Sequence, residues 1–274
     1  MHRMIRGSRG NWLAAALVAA FFVSGPAFGS TCGNGANGFE VWKAQFMQEA
    51  SARGVGPRAL DALAQTRYAS KTIAADRGQK SFKLSLDSFM QKRGANAIIS
   101  RGRSMKQKYG GLLSMIESRY GVPPGPLLAI WGMETGFGGF LGNQNILSAV
   151  ATLAYDCRRS EFFTGHLYAA LALVERGVLS PSDVGAAHGE IGQTQFLPGN
   201  ALTYGVDGDG NGRVDMIGSV ADALASTANF LRAHGWQPGA GYQPGEINFR
   251  ALQGWNAASV YQQAIAIIGK EIDG

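Results

Sequence analysis

Cysteine and histidine are scarce in this chain, with two and four copies among 274 residues. Two thiols cannot build a multi-disulfide scaffold, a four-thiolate zinc site or a cysteine-bound iron–sulfur cluster. No histidine falls in an H-E-x-x-H pattern, which argues against a zinc hydrolase. Charge is thin as well: 16% of residues are charged and 46% are hydrophobic, a globular balance and not that of a disordered tail. The 39 glycines follow no G-X-Y period, so a collagen helix is excluded. No internal repeat or low-complexity linker is present, and strand signals are few, which disfavours a parallel α/β sheet. The length suits one large domain or two small ones and is ample for a buried core.

Long apolar runs are missing too, with one short exception near the N-terminus. Residues 12–23 form an apolar run after Arg3, Arg6 and Arg9, and Ala27 and Gly29 supply small residues at the −3 and −1 positions of a cleavage site. That is the pattern of a secretory signal peptide over residues 1–29, leaving 30–274 as the mature domain. The run falls short of the roughly 20 apolar residues that a membrane span needs, so no span is expected. Cys32 follows a poor lipobox, so a lipid anchor is not expected. Without the three leader arginines, 22 basic residues face 19 acidic ones. Such a small excess weakens any nucleic-acid reading. A local basic cluster remains (Arg77, Lys80, Lys83, Lys92, Arg93, Arg101, Arg103, Lys106, Lys108), read either as a solvated helical face or as a rim for an anionic polymer. An exported chain with two thiols points to one disulfide, Cys32 to Cys157, across 125 positions, with two separately buried thiols as the alternative.

Apolar periodicity predicts helices over residues 39–50, 57–63, 104–119, 124–134, 161–176, 219–234 and 260–268, hence a mainly α fold. Gly121, Pro123 and Pro124 form a stop and restart. Glycine-rich stretches between helices let the backbone take unusual dihedrals and approach a ligand closely. The segment 124–138 carries the most information. Its helix is apolar nearly all round, and it ends on Glu134, a lone carboxyl among Trp131, Met133 and Phe137. A desolvated carboxyl stays protonated near neutral pH and can donate a proton to a leaving oxygen. A glutamate satisfied by the backbone or an arginine is the plainer alternative.

Six segments then occur in order: Tyr120-Gly-Val-Pro-Pro124, Ile130-Trp-Gly-Met-Glu134-Thr-Gly-Phe-Gly138, Ala151-Thr-Leu153, Arg158-Arg159-Ser-Glu-Phe-Phe163, Gly192-Gln-Thr-Gln195-Phe-Leu-Pro198 and Ala233-His-Gly-Trp236. Together they resemble the lytic murein transglycosylases of the membrane-bound lytic transglycosylase B family. The resemblance implies a lysozyme-like helical fold with a groove for peptidoglycan glycan strands. It implies cleavage of the β-1,4 bond between N-acetylmuramic acid and N-acetylglucosamine, with 1,6-anhydro ends and Glu134 as sole acid and base. No cofactor is expected for the chemistry, and the protein is expected to be an exported, periplasmic monomer. By the same resemblance Gln195 lines the groove, Arg158 and Arg159 bind lactyl or peptide carboxylates, and Phe137, Phe162, Trp255, Asn256 and Tyr261 contact sugar. For the two arginines the alternative is exposed ion pairing with Glu161 or Asp156, and for the aromatics it is plain core packing.

Two positions depart from the family pattern: Ala186 stands where a serine is common, and Glu190 where a small residue is expected. Glu190 near Glu134 would raise the pKa of Glu134 further. It could also place a water, which would make the enzyme a lysozyme-type muramidase. A non-catalytic wall-binding module is the reading from another class. Finally, Asp207, Asp209, Asn211, Arg213 (through its carbonyl) and Asp215 reproduce an EF-hand loop through its ninth position, within a loop spanning 207–218. The bidentate glutamate at position 12 is missing, with Asp222 as a substitute. Structural calcium or a metal-free Asx turn both fit that pattern.

Overall fold

A computed structural model describes residues 30–78 and 84–274. The proposed signal peptide, and Lys80 and Lys83 of the basic cluster, lie outside the described residues. The chain folds into helices α1 (Phe39–Ala52), α2 (Pro57–Ala64), α3 (Ser70–Gly78), α4 (Leu86–Arg93), α5 (Ala95–Lys108), α6 (Gly110–Tyr120), α7 (Pro124–Thr135), α8 (Ile146–Tyr155), α9 (Ser160–Glu175), α10 (Pro198–Tyr204), α11 (Val220–Ala233), α12 (Phe249–Trp255) and α13 (Ser259–Asp273). One two-stranded antiparallel ribbon accompanies them, β1 (Gln144–Asn145) with β2 (Val184–Gly185), in which Gln144 pairs with Gly185. The mainly α expectation holds.

Helix α7 is the centre of the fold. Proline at its first positions and Gly136 in the left-handed region at its end set its limits, and the Gly136 and Phe137 amides close the last turn onto the Gly132 and Trp131 carbonyls. Leu127, Leu128 and Ile130 are fully buried, each worth about 1.5–3 kcal/mol of apolar transfer. The all-round burial follows from neighbours on several sides: α5, α6, α11 and α13 all pack on α7. The closest approach is to α13, where a Cβ on Gly125 would lie 2.3 Å from the Gly269 carbonyl oxygen. A second layer pairs α8 with α9, and α1 and α2 cover it.

The expected helix over 104–119 is instead two helices, α5 and α6, that break at Tyr109 (φ −107°, ψ 21°), just before Gly110 and Gly111. Both glycines have weak helix propensity, and the break lets the two helices follow different faces of the core. Sequence periodicity also missed α3, α4, α8, α10 and α12. Helix α8 is buried at nine of its ten positions, so it shows no polar stripe.

Cys32 and Cys157 form a disulfide, with Cα atoms 4.9 Å apart. It fastens the start of the described chain to the end of α8, beside a hydrogen bond from the Gly33 amide to the Tyr155 carbonyl (2.9 Å). In the chain-entropy account a loop of 125 residues is worth about 4–5 kcal/mol.

Candidate active site

Because α7 is buried along its length, its last turn delivers Glu134 to the floor of a trough with little freedom to move. Glu134 is only partly exposed. Its Oε1 accepts two hydrogen bonds, one from the Tyr261 hydroxyl (2.7 Å) and one from the Trp255 indole N–H (3.2 Å). Burial pushes the Glu134 carboxyl from 4.5 up to about 7, against the pull of those two donors and of the nearby Arg93 charge. Glu190 adds a smaller push upward. Desolvation therefore wins, as expected for a carboxyl among aromatic neighbours.

Two cavities meet at Glu134. One, of about 300 Å³, is lined by Arg93, Glu190, Gln195, Asn200, Trp255, Asn256 and Tyr261, among others. The other, of about 280 Å³, is lined by Lys71, Phe140, Asn143 and Gln144 among others. Glu134, Ala186 and Gln195 belong to both, so the cavities form one trough that runs past the carboxyl on either side. Ala186 offers only a methyl where the family pattern has a hydroxyl. The donors that fix Glu134 come from α12 and α13 instead.

Gln195 is held in an unusual backbone state, with φ at +57°. A non-glycine residue there costs on the order of 1–3 kcal/mol and persists only when its surroundings over-determine it. They do. Ile191 and Phe196 exchange backbone hydrogen bonds across the turn (2.7 and 3.0 Å), and the Gln195 side-chain amide donates to the Gly192 and Leu141 carbonyls. The buried Gln193 ties that turn to α7: it accepts from the Trp131 indole (3.0 Å), and its carbonyl accepts from the Thr135 hydroxyl (2.7 Å). Gln193 was legible only as part of the Gly192–Pro198 motif, since nothing in the sequence marks it as buried.

Glu190 is clamped by its neighbour His188. The His188 backbone N–H donates to Oε2 (2.8 Å), and Nδ1 donates to Oε1 (2.9 Å). Burial raises the Glu190 pKa, but the His188 hydrogen bond, the His188 charge and the backbone amides outweigh it, and the carboxyl lies below its ordinary value. Glu190 thus faces the cavity as the stronger acid, while burial favours the protonated form of Glu134.

The structure gathers Glu134, Gln195, Glu190, Trp255, Asn256 and Tyr261 around the trough. The other expected residues are placed elsewhere. Tyr261 is 2% exposed, so its role is to hold Glu134 and not to offer an open sugar platform. Phe137 is buried with its ring edge-on to Trp131, 5.4 Å between centroids, and lines neither cavity. Phe162 is exposed on α9 and packs edge-on against Phe163 and His166, away from both cavities. Arg158 and Arg159 both pair with the buried Asp76, not with Glu161 or Asp156, and line neither cavity. Asp156 instead takes Arg77 (2.7 Å). Among the described members of the basic cluster only Arg93 lines the trough, where Nη1 donates to the Met133 carbonyl (3.3 Å) and the guanidinium lies over the Tyr261 ring. Arg103 and Lys106 are bound to the C-terminal turn of α13. Arg93, Lys71 and Asn200 carried no motif, and only the fold brings them to the trough.

In the acidic loop, carboxylate oxygens of Asp207, Asp209 and the fully buried Asp222 lie within 4.8 Å of one another. Asp222 thus occupies the place of the missing glutamate. Its Oδ1 accepts from the Gly208 amide (2.8 Å) and its Oδ2 from the Asp215 amide (2.7 Å). Backbone amides of Gly212, Gly210 and Asn211 hold the Asp207 carboxyl below its usual value. Asp215 Oδ1 accepts from the Ile217 and Gly218 amides, and Asn211 Oδ1 from that of Arg213; of the expected carboxylates, Asp207 and Asp209 converge with Asp222, and Asp215 does not join them. Two carboxylates from the loop and one from the first turn of α11 offer the hard oxygen donors that calcium prefers.

Among the described residues no helix is long and apolar enough to cross a membrane. Residues 38–245 match the transglycosylase SLT domain family. Over 143 residues, 52% of this chain, the sequence is 35% identical to the membrane-bound lytic murein transglycosylase B of Escherichia coli K12; the match spans 39% of that relative's length. SltB3 of Pseudomonas aeruginosa, solved in complex with NAG-anhNAM-pentapeptide, superposes with a TM-score of 0.79 at 29% identity, covering 86% of this chain and 80% of that one. The Escherichia coli lytic transglycosylase Slt35, solved with bulgecin A, superposes at 0.75 and 23% identity, covering 89% and 96%, and shares the fold. The helical fold is that of the lysozyme-like lytic transglycosylases, and the chain belongs to the transglycosylase SLT domain family.

Proposed function

We propose that the protein is a lytic transglycosylase that cleaves the β-1,4 bond between N-acetylmuramic acid and N-acetylglucosamine in peptidoglycan and leaves 1,6-anhydromuramyl ends. The observation that carries this reading is a buried carboxyl, held through one oxygen by Tyr261 and Trp255, where two cavities meet in one trough. A glycan strand lies along the trough with the scissile oxygen over Glu134. Glu134 gives its proton to that oxygen, and the substrate's own 2-acetamido oxygen bonds to C1 as the leaving sugar departs. Glu134, now a carboxylate, takes the proton from the C6 hydroxyl, whose oxygen attacks C1 and displaces the acetamido group. The proton count closes and no water is consumed, so one carboxyl suffices where most glycosidases need two. A pKa near 7 suits a group that must both give and take a proton at neutral pH. Tyr261 and Trp255 stabilise the carboxylate between the two steps by donating to it. SltB3, 29% identical, was solved with an anhydro-sugar peptide of the kind this reaction releases.

The second reading, a muramidase, rests on Glu190, which lines the same cavity and is ionised. It is the weaker one, because both Glu190 oxygens are already engaged by His188, which leaves the carboxylate poorly placed to take a proton from water. Zymography of the wild type beside Glu134→Gln tests the catalytic assignment. The wild type should clear a peptidoglycan gel and the variant should not; clearing by both would refute it.

The leader pattern and the disulfide support export to an oxidising compartment, the periplasm, as the site of action. Asp207, Asp209 and Asp222 are the residues that would hold a structural calcium ion, remote in role from the proton transfers.

A further inference from the structure

The trough does not end at the second cavity. Gln144, on the edge ribbon, also lines a third hollow of about 370 Å³, bounded by the α2–α3 connection. The second and third hollows therefore adjoin at Gln144, which places Arg67 on the far side of the second cavity from Asn256.

Its two arms differ in charge. The arm on the Asn256 side carries both Glu190 and Arg93. On the far side Lys71 is the cation of the second cavity and Arg67 that of the third; apart from the shared Glu134, no acidic residue lines either hollow. Lys71 and Arg67 are both exposed and stand in no ion pair among the described residues. The Arg67 amide donates to Ser148 Oγ (3.2 Å), which fixes its backbone over α8 and leaves the guanidinium to solvent. Side-chain amides of Gln65, Gln144 and Asn145 share that arm. Neutral amides with two unpaired cations suit a sugar that carries carboxylates. By contrast Arg158 and Arg159, the pair expected to bind carboxylates, are occupied by Asp76 outside both cavities.

We propose that Lys71 and Arg67 form the carboxylate-binding arm of the trough and take the carboxylates borne by the muramyl residue, either the stem peptide or the lactyl group, on that side of the scissile bond. The inference rests on the glycan-cleaving reading above and adds a direction to it. The stem-bearing side lies towards β1 and α3, and the Glu190 side takes the partner sugar. A guanidinium and an ammonium, neither of them in an ion pair among the described residues, supply charge-assisted hydrogen bonds to such a group.

Binding of glycan strands to the turnover-dead Glu134→Gln protein tests this directly, with strands that keep their stem peptides and strands stripped to the lactyl carboxylate. Lys71→Ala or Arg67→Ala, each added to Glu134→Gln, should raise Kd about threefold to fivefold, and both together about tenfold. The effect should shrink at high salt, because both cations are solvent-exposed. Lys71→Arg should restore binding, and kcat/KM of the corresponding variants with Glu134 intact should fall in parallel. A loss confined to stem-bearing strands assigns the stem carboxylates; a loss on stripped strands, where alone the lactyl carboxylate is free, assigns the lactyl group. Unchanged binding of both strand types by the double variant would overturn the proposal while the Glu134 assignment stands. A Glu134→Gln protein that binds no strand would overturn both. Because both side chains are exposed, the variants should melt with the parent, which separates lost binding from lost folding.

Discussion

Replacing Glu134 by glutamine should do two opposite things at once. It should abolish strand cleavage, by at least the ~10²–10⁴-fold that general acid–base catalysis contributes. It should also stabilise the folded protein above neutral pH. The carboxyl is pushed from 4.5 to about 7 by burial, so folding favours its protonated form. A group raised in this way contributes stability that is present in full below its unfolded pKa and is lost as pH rises through the folded one. Each pKa unit corresponds to about 1.4 kcal/mol, so a rise of roughly 2.5 units makes the wild type about 3 kcal/mol less stable at pH 8 than at pH 4 on account of this group alone. Glutamine cannot ionise, and its carbonyl oxygen still accepts from Tyr261 and Trp255. Urea unfolding of both proteins at pH 4 and pH 8 measures the effect. The variant should match the wild type at the acid end and exceed it by up to about 3 kcal/mol at the alkaline end. A difference that does not change with pH would show that Glu134 is not held protonated by burial.

Four further outcomes follow from the same geometry. Tyr261→Phe removes the donor that most lowers the Glu134 pKa, so the alkaline limb of the kcat/KM profile should move to higher pH and activity should fall; an unmoved limb would contradict the assigned hydrogen bond. Gln193→Ala strips the Trp131 indole and the Ile217 carbonyl of a buried partner and should cost about 2–4 kcal/mol of stability by urea titration, with activity reduced as the turn that carries Gln195 loosens. Reduction of the Cys32–Cys157 bond, or its replacement by serines, should lower stability by up to about 4–5 kcal/mol, read as a fall in the urea midpoint with the m-value checked for a changed denatured state. Calcium at about a hundred times its Kd should stabilise the fold by about 2.7 kcal/mol, an increment that Asp222→Ala abolishes; thermal stability untouched by calcium and by chelator would remove calcium from the loop.

The catalytic centre was far more legible in sequence than the substrate arms. Glu134 announced itself because an apolar helix ending on one carboxyl is a local pattern, and local patterns survive in sequence. Gln195 was found through its motif, although nothing there foretold its positive φ. The pairing of Arg158 and Arg159 with Asp76 was not legible, because Asp76 lies over 80 positions earlier and pairing at that separation leaves no local trace. Lys71 and Arg67 carried no signal for the same reason: they became part of the trough only when the α2–α3 connection packed beside β1. The helices were legible where one face stayed polar. Helix α7 was legible although buried, because prolines open it, whereas the equally buried α8 was lost, as were elements as short as α10 and α12.

The most direct test of a single-carboxyl reaction is the fate of solvent oxygen. Peptidoglycan digested by the wild type in heavy-oxygen water should yield anhydromuramyl ends, each one water lighter than a reducing end and free of label. Labelled reducing ends formed at the rate of strand cleavage would show that water, not the C6 hydroxyl, attacks C1, and would give Glu190 the part assigned here to the substrate.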